Sequence, residues 1–361
     1  MRSARASELR PLPDRDDRPF TVDFVSTRFH GSKRKLAAWL WSSFGRLTFD
    51  TALDLFGGTG AVSHLLKSAG KEVMYNDILR SNFDAAVALI KNRNVTLDED
   101  DVDEILQRRS SLNYPTFIAD TFDGIYFTPD ENRWLDQTIY NINSLPADEY
   151  KRSLALFALY QSCMIKRPYN LFHRANLYMR TADVARSFGN LATWNKPFPY
   201  FFKKFVTEAN RAVFDNGRNN SAAMVDALDA PTGADLVYID PPYVSDTKAS
   251  TDYFGFYHFL EGLSGYDVWP DRVNYGTKHR SIVGPQSAWT NPLMISGELQ
   301  RVVQRYADSI LAISYRDDGI PAVSTICSML ADVGKQVQVI RIAQKYALST
   351  KDMHEVLIVG R

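Results

Sequence analysis

Thr51-Ala52-Leu53-Asp54-Leu55-Phe56-Gly57-Gly58-Thr59-Gly60 is a short apolar run that ends in a cluster of glycines. Its length and its punctuation predict a buried strand running into a glycine turn. Ala61 to Ser68 then reads as a helix that Gly70 stops. Glu72 to Tyr75 predicts a second strand, and Asp235 to Ile239 a stronger third one that ends at Asp240. Ser309 to Ser314 and Glu355 to Val359 are further strand candidates. Helical patterns lie between these runs. Strands that alternate with helices predict an α/β fold, built on a mostly parallel sheet with helices on both faces.

Residues 80–218 break the alternation. They open on the acidic run Asp98-Glu99-Asp100-Asp101-Val102-Asp103-Glu104, expected to face solvent, and then turn aromatic, basic and mostly helical. The expected organisation is a sheet domain made of residues 21–80 and 219–361, with residues 81–218 inserted into it. Residues 1–20 are polar and proline-bearing and read as a disordered leader rather than a secretory signal. At 361 residues and 45% hydrophobic content the chain can build a real core. Its 42 basic and 42 acidic residues cancel, so only local clusters can argue for a polyanionic partner. Cys163 and Cys327 stand far apart in no ligand spacing, so no metal site or disulfide framework is expected and a reducing cytoplasm is the simple inference. No apolar run of membrane-spanning length appears.

A strand, a glycine turn and a helix place backbone N–H groups at a helix N-terminus, beside the sheet edge where α/β proteins bind ligands. Glycine lets a ligand approach the backbone closely. Asp77, after the second strand, can accept from ribose hydroxyls. The pattern is not the dinucleotide fingerprint G-x-G-x-x-G, and alone it serves equally as a tight turn. Asp54 tips the choice. Its carboxylate would repel a pyrophosphate but suits a ligand carrying an ammonium group, such as S-adenosylmethionine.

Asp240-Pro241-Pro242-Tyr243 closes the strongest strand. Two prolines fix the backbone and remove two N–H donors. What remains is a display of acceptors, the Asp240 carboxylate and the Pro241 carbonyl, beside an aromatic face. That suits a flat heterocycle bearing an NH2 group. The lone pair of such an amine is delocalised into its ring; two acceptors can concentrate it for in-line attack, with help from positioning and electrostatics. The bland alternative is a strand-ending proline turn with a surface tyrosine.

Together these residues resemble the D12-type, alpha-class N6-adenine-specific DNA methyltransferases. Their N-terminal cofactor motif looks present as His30-Gly31-Ser32-Lys33-Arg34-Lys35-Leu36, with Ser32 where many members have glycine. Asp54 and Phe56 to Gly60 match the methionine-binding turn, Asp77 and Ile78 the ribose acid and its neighbour, and Asp226 the residue facing the cofactor adenine. Asp240 to Tyr243 match the catalytic tetrapeptide, with Asp240 also beside the cofactor. The resemblance implies a Rossmann-like S-adenosylmethionine-dependent sheet with a mostly helical inserted target recognition domain. It implies methyl transfer to adenine N6 of a flipped-out base in double-stranded DNA, by a cytoplasmic monomer. A separately acting cognate restriction endonuclease is a partner the sequence neither requires nor excludes. Cytosine N4 stays open as a target, because the same acceptors would serve it, and so does a silent DNA-binding protein on the same fold. Methylation at cytosine C5 needs a cysteine nucleophile that neither cysteine provides.

Residues 151–211 hold 11 Lys/Arg against 2 Asp/Glu. Lys166, Arg167, Asn170, His173, Arg174, Arg180, Arg186, Asn190, Trp194 and Lys196 are the expected DNA contacts: cations for phosphates, Asn and Arg for base edges, aromatics for stacking. The rival reading makes the aromatics core and the charges a solvated face. The aromatic segment 251–259 could cap the site or join the core, and Ser314 to Gly319 is a further candidate site loop.

Overall fold

The structure is a computed structural model that describes residues 24–26, 29, 31–184, 191–244, 252–284, 287–344 and 353–361. The expected leader, His30, Arg186 and Asn190 lie outside the described residues.

A seven-stranded sheet forms the framework: β1 Thr51–Asp54, β2 Glu72–Asn76, β3 Ser221–Ala223, β4 Leu236–Ile239, β5 Ile310–Arg316, β6 Val337–Gln344 and β7 Met353–Gly360. Its order is β3-β2-β1-β4-β5-β7-β6. The first five strands in that order run parallel, and β7 lies antiparallel between β5 and β6. Every β4 residue is buried, as expected of a central strand covered on both faces. Successive side chains alternate between two cores. Ala52, Tyr238, Ala312 and Leu357 face one core with the helices Ala37–Phe44 and Ala61–Ser68. Leu53, Val237, Leu311, Ile313 and Ile358 face the other, with the helices Ile295–Arg305 and Val323–Asp332.

The expected strands are present, with bounds shifted by one or two residues at most ends. Two strands are additional. β3 is a three-residue strand of small residues on the sheet edge, and β6 is the opposite edge.

Among the described residues, those between β2 and β3 form only helices. The helix Glu149–Ile165 is buried throughout from Ser153 to Ile165, and Phe198–Ala212 packs on it. Both belong to the first core, so the helical segment and the sheet share one hydrophobic interior. The acidic run becomes the helix Glu99–Leu106. Asp98 caps its first turn while Asp101 accepts from the Asp98 N–H, which places negative charge where a helix N-terminus favours it. The aromatic segment after β4 forms the helix Tyr253–Ser264; Tyr257 and Phe259 are core residues.

From β1 the chain moves outward through β2 to β3, then returns to the opposite side of β1 as β4. The strand order reverses between β1 and β4, and their carboxyl ends frame the crevice where open α/β sheets bind ligands.

Candidate active site

The glycine turn leaves β1 and enters the helix Ala61–Ser68 through Gly60 at φ 74°, with Gly58 at φ 52°, both conformations natural to glycine. A Cβ on Gly57 would lie 2.0 Å from the Tyr75 ring, so that position admits no side chain. The Gly58 N–H donates to Asp77 Oδ2 at 2.8 Å, and the Tyr75 hydroxyl donates to the Gly58 carbonyl at 2.8 Å. The second strand thus clamps the turn from both sides. Asp77 Oδ1 accepts from the Leu79 N–H at 2.8 Å. Burial raises the pKa of Asp77 despite these amides.

Asp54 is buried. Its Oδ2 accepts from the Ser63 hydroxyl at 2.6 Å, while Oδ1 has no hydrogen-bond partner among the described residues. Burial lifts its pKa to about 7; Ser63 opposes the shift, and Asp240 and Asp77 add to it. An unsatisfied buried carboxylate oxygen beside a glycine turn is the feature an ammonium ligand would complete. Ile78 is exposed next to Asp77, and Asp226 is exposed beyond β3 on the same sheet edge. Ser32 Oγ lies 3.2 Å from Thr59 Oγ1 and ties the N-terminal motif to the turn. A Cβ on Gly31 would meet the Tyr253 hydroxyl at 2.5 Å, and Phe56 meets Trp289 edge-on at 4.8 Å.

Across the crevice, Asp240 follows β4. Lys33 places its ammonium 2.8 Å from Asp240 Oδ1, 2.8 Å from the Tyr243 hydroxyl and 3.3 Å from Glu355 Oε1. Lys33 therefore lies against the Asp240–Tyr243 tetrapeptide as well as in the N-terminal motif. The Tyr243 hydroxyl is placed to donate to Asp240 Oδ1 at 2.9 Å or to Glu355 Oε1 at 2.5 Å. It carries one proton and serves one of them at a time. The Tyr243 ring stands edge-on to Tyr315 at 5.4 Å, and Ser314 Oγ donates to Glu355 Oε1 at 3.0 Å, so the β5 end does face the site. Burial raises the pKa of Asp240; Lys33 opposes that and Glu355 reinforces it. Burial pulls Lys33 down, but Asp240 and Glu355 outweigh it and hold the ammonium well above the ordinary lysine value. Glu355 was not singled out from the sequence, since nothing near it in the chain signals a partner more than a hundred residues away.

The helical segment sorts its basic residues into two groups, which corrects the sequence reading. Lys166 and Arg167 are each 2% exposed and Arg180 is 8% exposed. Lys166 pairs with Glu131 at 2.7 Å and donates to the Trp194 carbonyl. Arg180 grips Glu131 with two bonds of 2.8 and 2.9 Å. Arg167 lies over the Tyr126 ring and donates to the Leu171 and Arg174 carbonyls at 3.0 Å each. Trp194 is buried as well. These four expected DNA contacts are interior groups here, and the ammonium of Lys166 and the guanidinium groups of Arg167 and Arg180 bond to protein partners.

Arg174 and Lys196 are exposed, and Asn170 and His173 are half-exposed. Arg167 braces the loop that carries Asn170, His173 and Arg174. In that loop Tyr169 and Asn170 hold left-handed backbone at φ 61° and 58°, a strained geometry that displays the half-exposed Tyr169 ring.

The reversed strand order, the clamped glycine turn and the acceptor tetrapeptide define an S-adenosylmethionine-dependent methyltransferase that acts on an amine. The chain matches the D12 class N6 adenine-specific DNA methyltransferases over residues 29–263 and belongs to that family. It methylates adenine at N6 in DNA, at a specific site, with S-adenosylmethionine as methyl donor. It is 28% identical over 340 residues to the Type II methyltransferase M2.HphI of Haemophilus parahaemolyticus, covering 91% of this chain and 94% of the relative. The Type II methyltransferase M.NlaIII of Neisseria lactamica is 21% identical, covering 84% of this chain and 88% of its own. A solved rRNA methyltransferase, aviRa from Streptomyces viridochromogenes, aligns over 92% of this chain at 11% identity with a TM-score of 0.31. No helix among the described residues is long and apolar enough to cross a membrane.

Proposed function

We propose that the crevice between β1 and β4 is the transfer site and that Asp240 and the Pro241 carbonyl hold the two hydrogens of the adenine N6 amine. The observation that carries this reading is adjacency. The Asp54–Gly60 turn and the Asp240–Tyr243 segment leave neighbouring strands, with Asp54 opposite Tyr238 in register. Gly57 to Gly60, Asp54, Asp77, Ile78 and Asp226 would hold the cofactor, which supplies an electrophilic methyl group on a sulfonium. Asp54 Oδ1 is the free acceptor for its ammonium. Asp240 orients the amine lone pair, and Tyr243 gives the base a face to stack on. The base reaches these groups only after leaving the duplex.

The inserted helices would read the target. Asn170, Arg174 and Lys196, with the displayed Tyr169, form the surface offered to DNA, and the buried Lys166, Arg167 and Arg180 hold that surface in shape. The proposal extends to a cytoplasmic monomer that protects a site from a separately acting endonuclease, as the family resemblance implies. Transfer of labelled methyl to DNA by Asp240→Ala tests the assignment: transfer is expected to vanish with S-adenosylmethionine binding retained, and near-normal transfer overturns it.

A further inference from the structure

We infer that Glu355 is a positioning residue, a second carboxylate that draws Lys33 and the Tyr243 hydroxyl away from Asp240 Oδ1 so that this oxygen can accept the amine hydrogen. This rests on the role proposed for Asp240. Asp240 Oδ1 faces both Lys33 at 2.8 Å and the Tyr243 hydroxyl at 2.9 Å. A carboxylate oxygen has about two lone-pair sites, so an amine that approaches this oxygen must displace one of these donors. Both donors also reach Glu355 Oε1, so each can leave Asp240 for another acceptor without losing its partner. Glu355 is 1% exposed, on β7, and the Ser314 hydroxyl on the neighbouring β5 steadies it. A glutamine there would satisfy the same hydroxyls without the cost of burying a carboxylate. The charge itself is what the site uses: without it the Lys33 ammonium has Asp240 alone among these carboxylates.

The test is single-turnover methyl transfer by Glu355→Gln, with Kd for S-adenosylmethionine and DNA measured alongside. The rate is expected to fall about 100-fold, the scale of one misplaced electrostatic group in an active site, while both Kd values hold within about two-fold. Glu355→Asp, which keeps the charge, should recover part of the loss. In a Lys33→Met background there is no ammonium to draw off, so adding Glu355→Gln should change the rate by less than about two-fold. A Glu355→Gln enzyme at wild-type rate, or losses that multiply in the double variant, overturns the inference. If Glu355→Gln does not fold, Glu355→Asp carries the test: its shorter side chain withdraws the carboxylate from both donors and should lower the rate in part, and a wild-type rate there overturns the inference. Asp240→Ala separates the two claims. Continued transfer there overturns the role of Asp240; loss there beside a fully active Glu355→Gln overturns only the role of Glu355.

Discussion

Two buried charge clusters in this protein are mirror images. At the sheet edge two carboxylates, Asp240 and Glu355, share one ammonium, that of Lys33. In the helical segment one carboxylate, Glu131, is shared by two cations, Lys166 and Arg180. The difference in stoichiometry is a difference in purpose. An excess carboxylate in a crevice is an acceptor with room for a donor, and in the proposed reaction the amine would supply it. An excess cation in an interior must be absorbed, and here Trp194 and Lys196 carbonyls and the Phe198 ring absorb it. On the proposed function the first cluster serves a ligand and the second the fold.

The sharpest way to break the comparison is to remove one carboxylate from each cluster. Asp240→Ala should lower methyl transfer by about 1,000-fold or more and leave the denaturant midpoint nearly unchanged, because Glu355 still neutralises Lys33. Glu131→Ala should do the reverse. It strands two buried cations, so we expect a stability loss of about 3–5 kcal/mol in equilibrium unfolding. If Asp240→Ala unfolds the protein or Glu131→Ala leaves it as stable as before, the division between ligand site and scaffold fails. Acid should act on the scaffold cluster in the same sense. Burial raises the Glu131 pKa, but Arg180 and Lys166 bring it below the ordinary value. Its contribution is present above the ordinary glutamate range and is lost as pH falls through the depressed value.

The comparison also explains what the sequence could and could not tell. The glycine turn and Asp240-Pro241-Pro242-Tyr243 were legible because each is a local pattern whose chemistry follows from a few consecutive residues. The basic cluster was legible as a charge count, but a count has no direction. Glu131 lies 35 residues before Lys166, so nothing at Lys166 says that its head turns inward. Glu355 sat inside a correctly expected strand, yet its partners are contributed by residues 33, 243 and 314. β3 escaped notice because Ser221-Ala222-Ala223 lacks the β-branched and aromatic residues that mark strands. Long-range pairing made each of these features, and no window of sequence contains it.

A smaller effect sharpens the reading of the crevice. The Asp54 pKa is raised to about 7, and only the ionised form pairs with an ammonium. Affinity for S-adenosylmethionine should therefore rise about ten-fold or more from pH 5 to pH 7, measured by calorimetry. Asp54→Asn should flatten that profile. The stability of the ligand-free protein carries the opposite sign. Because the folded pKa lies above the unfolded one, Asp54 contributes most below the ordinary aspartate range, and this is lost as pH rises toward 7. A pH-independent affinity would mean that the ammonium is held elsewhere.

The smallest expected effect bears on the surface that the second cluster supports. Arg174 and Lys196 are exposed where Lys166 is not. If the exposed pair neutralises phosphates, Arg174→Ala and Lys196→Ala should each weaken DNA binding across sequences and reduce the slope of log Kd against log salt by about one. Lys166→Met tests the other half. It removes a cation of the same charge, but one whose ammonium is committed to Glu131 and two carbonyls. Its cost should appear in the unfolding curve, with the salt slope of the folded fraction unchanged. Equal slope changes for Lys166 and Arg174 would mean that the interior cluster opens on DNA, and the helical segment would then have to rearrange on binding. Unequal slopes would confine phosphate contact to the residues the fold leaves outside. The salt slope separates these cases because it counts displaced counterions, which a buried ammonium does not hold.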